Sequence, residues 1–204
     1  MEILHTEPID IEHIADLCAT GIVRPAPAPR DHTKFHVTQL LDSAHLITKG
    51  DVRYSTFVGH PKGIMSLGRI WETSVDCYLA DTARYQGGTY LPDVEQESDG
   101  IIASLDGILH LPDYGLMVAE TKLRFTQNKD IPLKHIQQMR AYCYLLRTDL
   151  ACYTSGHVSS NPPEMTGMLR IIRFTKASIA ECWQGILNTK EYLVSQGILP
   201  EGVK

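Results

Sequence analysis

Residues 101–124 read IIASLDGILHLPDYGLMVAETKLR, and they decide the fold. Ile101 to Leu111 has the composition of a β-strand, with Asp106 in its interior. Leu116 to Arg124 reads as a second strand. Between them, Leu111-Pro112-Asp113-Tyr114-Gly115 has the Pro, Asp and Gly chemistry of a tight turn, so the second strand folds back on the first. Side chains alternate along a strand, so Glu120 and Lys122 point one way and Thr121 the other. Leu116 to Ala119 leads in as a buried strand and delivers the two charged groups at its end. Charges at a buried position are costly unless something requires them. Asp106 and Glu120 can meet on adjacent strands, and two hard carboxylates suit Mg²⁺ or Mn²⁺. Such an ion polarises a phosphate and activates water. Lys122 adds a positive charge beside the attacking water.

Working outward, Asp99-Gly100 signals a hairpin between a strand at about Thr89 to Glu97 and the strand that carries Asp106. Gly87 and Gly88 close a helix that starts at Gly63 or Ser66, runs to about Arg84 and includes Trp71. Downstream, Pro132 opens a helix to about Arg147. Leu150 to Thr154 and Met168 to Phe174 read as two further strands, separated by a Pro162-Pro163 loop. Ala177 to Val194 is an amphipathic C-terminal helix. Upstream, Ile9 to Ala19 reads as a short helix with Ile11, Ile14, Ala15 and Cys18 on one face. Arg24 to Arg30 is a Pro-rich connector, and Val37 to Thr48 is a second helix. The expected architecture is α/β: a central mixed sheet flanked by helices, with a helical N-terminal extension over residues 1–60 and the core over 61–204.

The chain has 204 residues, 43% of them hydrophobic, and this suits one sizeable core. Its formal net charge of −5 argues against bulk electrostatic capture of nucleic acid, though not against a local basic groove. The five cysteines are scattered, with no paired spacing for a zinc knuckle or a disulfide framework. No apolar run reaches membrane-spanning length, and the first residues lack a secretory pattern. A reducing cytoplasmic setting, the nucleoid included, is expected.

The order helix, three strands, helix, strand, with Asp106 on the second strand and Glu120-x-Lys122 on the third, resembles the PD-(D/E)XK nucleases. Leu105 stands where the family name has Pro. Gln138-Met139-Arg140-Ala141-Tyr142 is similar to the Q-x-x-x-Y motif of the RecB-like branch, which includes CRISPR-associated and phage exonucleases. Gly68-Arg69-Ile70-Trp71-Glu72 resembles that branch's first motif. The resemblance implies a restriction-endonuclease-like core in which Asp106, Glu120 and the carbonyl of Thr121 bind metal, with Glu72 in the same acidic cluster. It also implies that Lys122 assists the attacking water and that Gln138 and Tyr142 line the site. Their i, i+4 spacing puts these last two on one helix face. The bland alternatives are Glu72 as a solvated partner of Arg69 and Tyr142 as a core aromatic. With only Cys182 in the last fifty residues, the four-cysteine iron–sulfur cluster of many CRISPR-associated relatives is not expected.

The resemblance further implies a metal-dependent DNA exonuclease acting on ends or single strands in recombination, repair or phage DNA processing, with a recombination protein as a possible partner. A structure- or site-specific endonuclease and a non-catalytic nucleic-acid-binding protein are the alternatives. Lys122, Arg124, Lys129, Lys134 and Arg140, together with Arg30, His32, Lys34 and His36, are candidate phosphate contacts. Tyr54, Phe57, Trp71 and Phe125 are candidate stacking residues. Nothing in the motifs fixes polarity or oligomeric state.

Overall fold

The computed structural model describes residues 1–19, 31, 33–55, 62–126, 128–160 and 163–200. The Pro-rich connector, His32, Phe57 and the side chains of Ala15 and Cys18 lie outside the described residues. The elements in chain order are β1 (Glu2–Ile9), α1 (Ile11–Ala19), β2 (Phe35–His36), α2 (Val37–Thr48) and α3 (Lys62–Tyr85). They continue with β3 (Thr89–Ser98), β4 (Ile101–Leu111), β5 (Gly115–Arg124), α4 (Leu133–Leu146), β6 (Leu150–Ser160), β7 (Pro163–Arg173) and α5 (Lys176–Ser195).

The strands form one mixed seven-stranded sheet in the order β1-β7-β6-β5-β4-β2, with β3 also on β4. α2, α4 and α5 cover one face through Leu40, Met139, Tyr142, Trp183 and Ile186. α1 and α3 cover the other through Ile14, Trp71, Val75 and Leu79. The N-terminal region is therefore not purely helical. β1 pairs with β7 from Glu2↔Arg173 to Ile9↔Gly167, and β2 runs parallel to the start of β4. His5, Thr6 and Glu7 hide β1 from a periodicity reading, because an edge strand with exposed faces need not alternate. β6 and β7 each extend past the expected ends and run almost to the loop between them.

Two local devices shape the sheet around Asp106. The β3–β4 ladder keeps one register throughout but skips the Asp93–Asp106 pair, and Asp93 has φ of 53°. On either side of the skip the strands exchange faces. Leu105 and Val94 pack towards α4, whereas Leu109 and Tyr90 pack towards α3. Such a roll re-aims the side chain at the break. On its other edge, β4 pairs with β5 only from Gly107↔Ala119 to Leu111↔Gly115, while β2 takes the far end at Ile101 and Ile102. β5 leaves β4 at Ala119 and continues beside β6 alone. The sheet opens at Asp106 and Glu120.

Candidate functional site

Asp106 lies at the roll in β4, and its Oδ2 accepts from the Thr121 N–H at 2.7 Å. The carboxylate thus takes a backbone donor that β5 presents where the two strands part. The adjacent Gly107 is required by packing, because a Cβ there would meet the Tyr90 hydroxyl at 2.5 Å. That hydroxyl in turn donates to Asp76 of α3 at 2.6 Å.

Along β5, Val118 belongs to the core under α4, and Glu120 and Lys122 continue along that face. Thr121 faces the other way, its hydroxyl 2.8 Å from that of Thr154. Glu120 is 0% exposed. Its Oε1 is ion-paired with Lys122 Nζ, and its Oε2 has no hydrogen-bond partner among the described residues. Lys122 Nζ also lies 3.5 Å from Asp106 Oδ2. Burial, then the Asp106 charge, push the Glu120 carboxyl up to about 8, against the pull of Lys122 and with a further push from Glu72. Burial opposes charge on Lys122, but Asp106 and Glu120 outweigh it and hold the ammonium well above its usual range. Lys122 is therefore a fixed positive charge rather than a base.

Glu72 is half-buried, one residue beyond the anchor that seats α3. That anchor is Trp71, packed on the facing pair Gly156 and Gly167, where a Cβ would meet its ring at 2.9 and 3.2 Å. Gln138 Nε2 donates to the Tyr142 hydroxyl at 2.9 Å, and that hydroxyl donates to the Ser104 carbonyl at 3.0 Å. Both residues are buried, so they tie α4 to the opened edge of β4 two residues before Asp106. The charges of Glu120 and Asp106 add to burial in raising the Tyr142 hydroxyl, which stays protonated as a donor.

An ion fits this donor set. The buried Glu120 oxygen without a hydrogen-bond partner among the described residues can serve as a ligand once its proton is displaced, and Asp106 supplies a second hard oxygen ligand. Among the described residues no three His, Cys, Asp or Glu side chains converge as metal ligands. An ion here would complete its shell with main-chain oxygen and water, as Mg²⁺ habitually does.

Several expected contacts are occupied elsewhere. Lys34 pairs with Glu97 and Lys134 with Asp42, both at 2.7 Å. Arg140 lies over the Phe174 ring, 5.5 Å from its centroid. Tyr54 packs on Phe35 and bonds Gln39, and Trp71 is core, so neither stacks on bases. Phe125 is exposed. The sequence reading missed Tyr153, His157 and Arg170, which share the face of Glu120 on β6 and β7. The alternation Tyr153-x-Ser155-x-His157 carries that signal, but only once β6 is extended past Thr154.

No protein-family model matches the chain, and no curated protein does. Solved structures of three proteins are among those that resemble its shape. SSO0001 shares 12% identity over 87% of this chain and 83% of its own, with a TM-score of 0.46. An alkaline exonuclease from Laribacter hongkongensis, solved alone and in complex with dAMP, shares 12% over 80% and 89%, at 0.49. A phage-related exonuclease from Haemophilus somnus shares 13% over 78% and 82%, at 0.43. At this level of likeness the chemistry has to come from the site itself. No helix among the described residues is long and apolar enough to cross a membrane.

Proposed function

We propose that this chain is a divalent-metal-dependent nuclease of the PD-(D/E)XK type, RecB-like branch, hydrolysing phosphodiester bonds from DNA ends. One observation carries the reading: a fully buried carboxylate with an unpartnered oxygen, beside a second carboxylate and a charged lysine, at the split of a sheet. In this reading Asp106 and Glu120, with the Thr121 carbonyl, hold Mg²⁺ or Mn²⁺, and Glu72 adds negative charge. The ion, when bound, polarises the phosphate and activates water. Lys122 stabilises the charge that develops on the phosphate oxygens and orients the water. Asp106 takes the Thr121 N–H and so sets the distance between the two strands. Gln138 and Tyr142 hold the opened edge of β4 in place. Residues 61–204 are the nuclease core, and residues 1–60 extend it through β1 and β2. The expected setting is cytoplasmic DNA recombination, repair or phage DNA processing.

The test is cleavage of end-labelled linear DNA and closed circular DNA with Mg²⁺, Mn²⁺ or EDTA, beside Lys122→Ala. Metal-dependent loss of the linear substrate alone, abolished in the variant, supports the exonuclease. Cutting of the circle replaces it with an endonuclease. Silence on both substrates overturns the nuclease reading.

A further inference from the structure

The register of β5, β6 and β7 places Glu120, Tyr153 and Arg170 in one row across the sheet. Ile172 packs under α4 while Leu169 and Ile171 pack under α3, so Arg170 shares the face of Glu120. Two strand spacings separate them, roughly 10 Å. Further along the same strands, Arg124 stands opposite His157.

These cations have an unusual set of partners. Arg170 is 8% exposed; its Nη2 donates to the Lys129 carbonyl at 2.9 Å, and its Nη1 has no hydrogen-bond partner among the described residues. Arg124 Nη1 donates to the Asp130 carbonyl at 2.6 Å. His157 Nδ1 lies 3.3 Å from the Thr126 carbonyl, and its Nε2 lies 3.0 Å from the Ser155 hydroxyl. All three side chains hold main-chain oxygens of the segment joining β5 to α4. Among the described residues no carboxylate pairs with either arginine. The imidazoles of His135 and His157 are neutral or cationic and supply no counter-charge; burial, together with the surrounding Lys and Arg charges, favours the neutral form of both. A buried guanidinium satisfied only by carbonyl dipoles keeps its net charge, which is costly unless an anion arrives. Its fork suits the non-bridging oxygens of a phosphate.

We propose that Arg170 and Arg124 form a seat for a second phosphate of the bound strand, beside the one cleaved at Asp106, Glu120 and Lys122. This rests on the nuclease reading for the strand's presence, and it goes further by saying how the strand is registered. The phosphate would pair with the buried Nη1 of Arg170, which has no hydrogen-bond partner among the described residues, and with the half-buried Arg124, while Nη2 keeps its hold on the connecting segment.

The test uses the whole chain in EDTA, where no cleavage occurs, and a labelled DNA duplex with a short single-stranded tail. Single linkages in the tail are replaced in turn by neutral methylphosphonate. The expected result is a loss of affinity of about tenfold at a linkage other than the one cut, as one charge-assisted contact is removed. In Arg170→Gln that sensitivity disappears and the slope of log affinity against log salt falls by roughly 0.7–0.9; Arg170→Lys retains the slope. Should Arg170→Gln fail to fold, the half-buried Arg124→Gln and the unmodified protein's profile decide. A profile in which no linkage beyond the cleaved one matters overturns the seat, as does an unchanged slope in both Gln variants. Cleavage in Mg²⁺ is scored separately. Cleavage with a flat profile removes the seat alone, and an arginine-dependent profile without cleavage removes the nuclease reading and keeps the seat.

Discussion

Two adjacent rows cross the same face of the sheet. Val118, Ala151 and Ile172 form one; Glu120, Tyr153 and Arg170 form the next. Each residue of both rows is buried. The first is what burial favours: small and branched apolar side chains that pack under the helices with nothing to satisfy. The second spends the same shelter on a carboxylate and a guanidinium, each with an unpartnered polar atom among the described residues. Stability alone does not select such a row, since replacing buried charges by apolar groups is often neutral or stabilising. The rows separate folding from function within one side-chain repeat.

Substitutions break this contrast in a definite order. Lys122→Ala, in the polar row's neighbourhood, is expected to lower cleavage per folded molecule by on the order of 10²–10³, and it also lowers stability because Glu120 and Asp106 lose their cation. Ile172→Ala in the apolar row is expected to act on stability alone, destabilising by about 2–5 kcal/mol in denaturant titration with cleavage per folded molecule unchanged. If Ile172→Ala cost activity before stability, the rows would not be separate.

Glu120→Gln sharpens the contrast through pH. The folded protein holds a proton on Glu120 that the unfolded chain has released, from the ordinary 4.5 up to about 8. The metal-free protein therefore loses stability as pH rises through that window. In Glu120→Gln this fall should vanish from melting curves taken in EDTA, and cleavage measured in Mg²⁺ should be gone as well. His135, bonded to Tyr153 of the polar row, leans the other way. Its folded value of about 4 lies below the ordinary 6.5, so the unfolded chain binds more protons between the two and stability rises with pH there. His135→Gln should flatten that rise. The smallest effect is Tyr142→Phe, which removes the bond to Ser104 and the acceptor of Gln138, and is expected to cost about 1–3 kcal/mol in the same melts.

The hairpin was legible in the sequence, and so were the separate strands that carry the apolar row, though not their register. Uninterrupted Leu116 to Ala119 and the turn at Pro112 to Gly115 place β4 and β5 without ambiguity, and the charged end of β5 marks itself by contrast. β1 was not legible, because its partner is β7, more than a hundred and fifty positions away, and its own residues alternate only weakly. The roll at Asp93 and Asp106 was hidden for a related reason. It depends on how two strands twist together, and neither Pro92-Asp93 nor Asp106-Gly107 announces it alone. Arg170 was passed over because an isolated Arg in an apolar strand is seen as significant only once the rung it shares with Glu120 is known.

The pairing of β1 with β7 has a consequence for handling and for synthesis. β7 is long, and among the described residues β1 is all that covers its outer edge. An N-terminal truncation or a bulky tag that displaces Glu2–Ile9 would leave an open strand edge, a ready template for intermolecular pairing. The ribosome releases β1 well before β7, so β1 waits unpaired until β7 arrives. Aggregation of shortened forms is the expected signature, even when every residue of the site is intact.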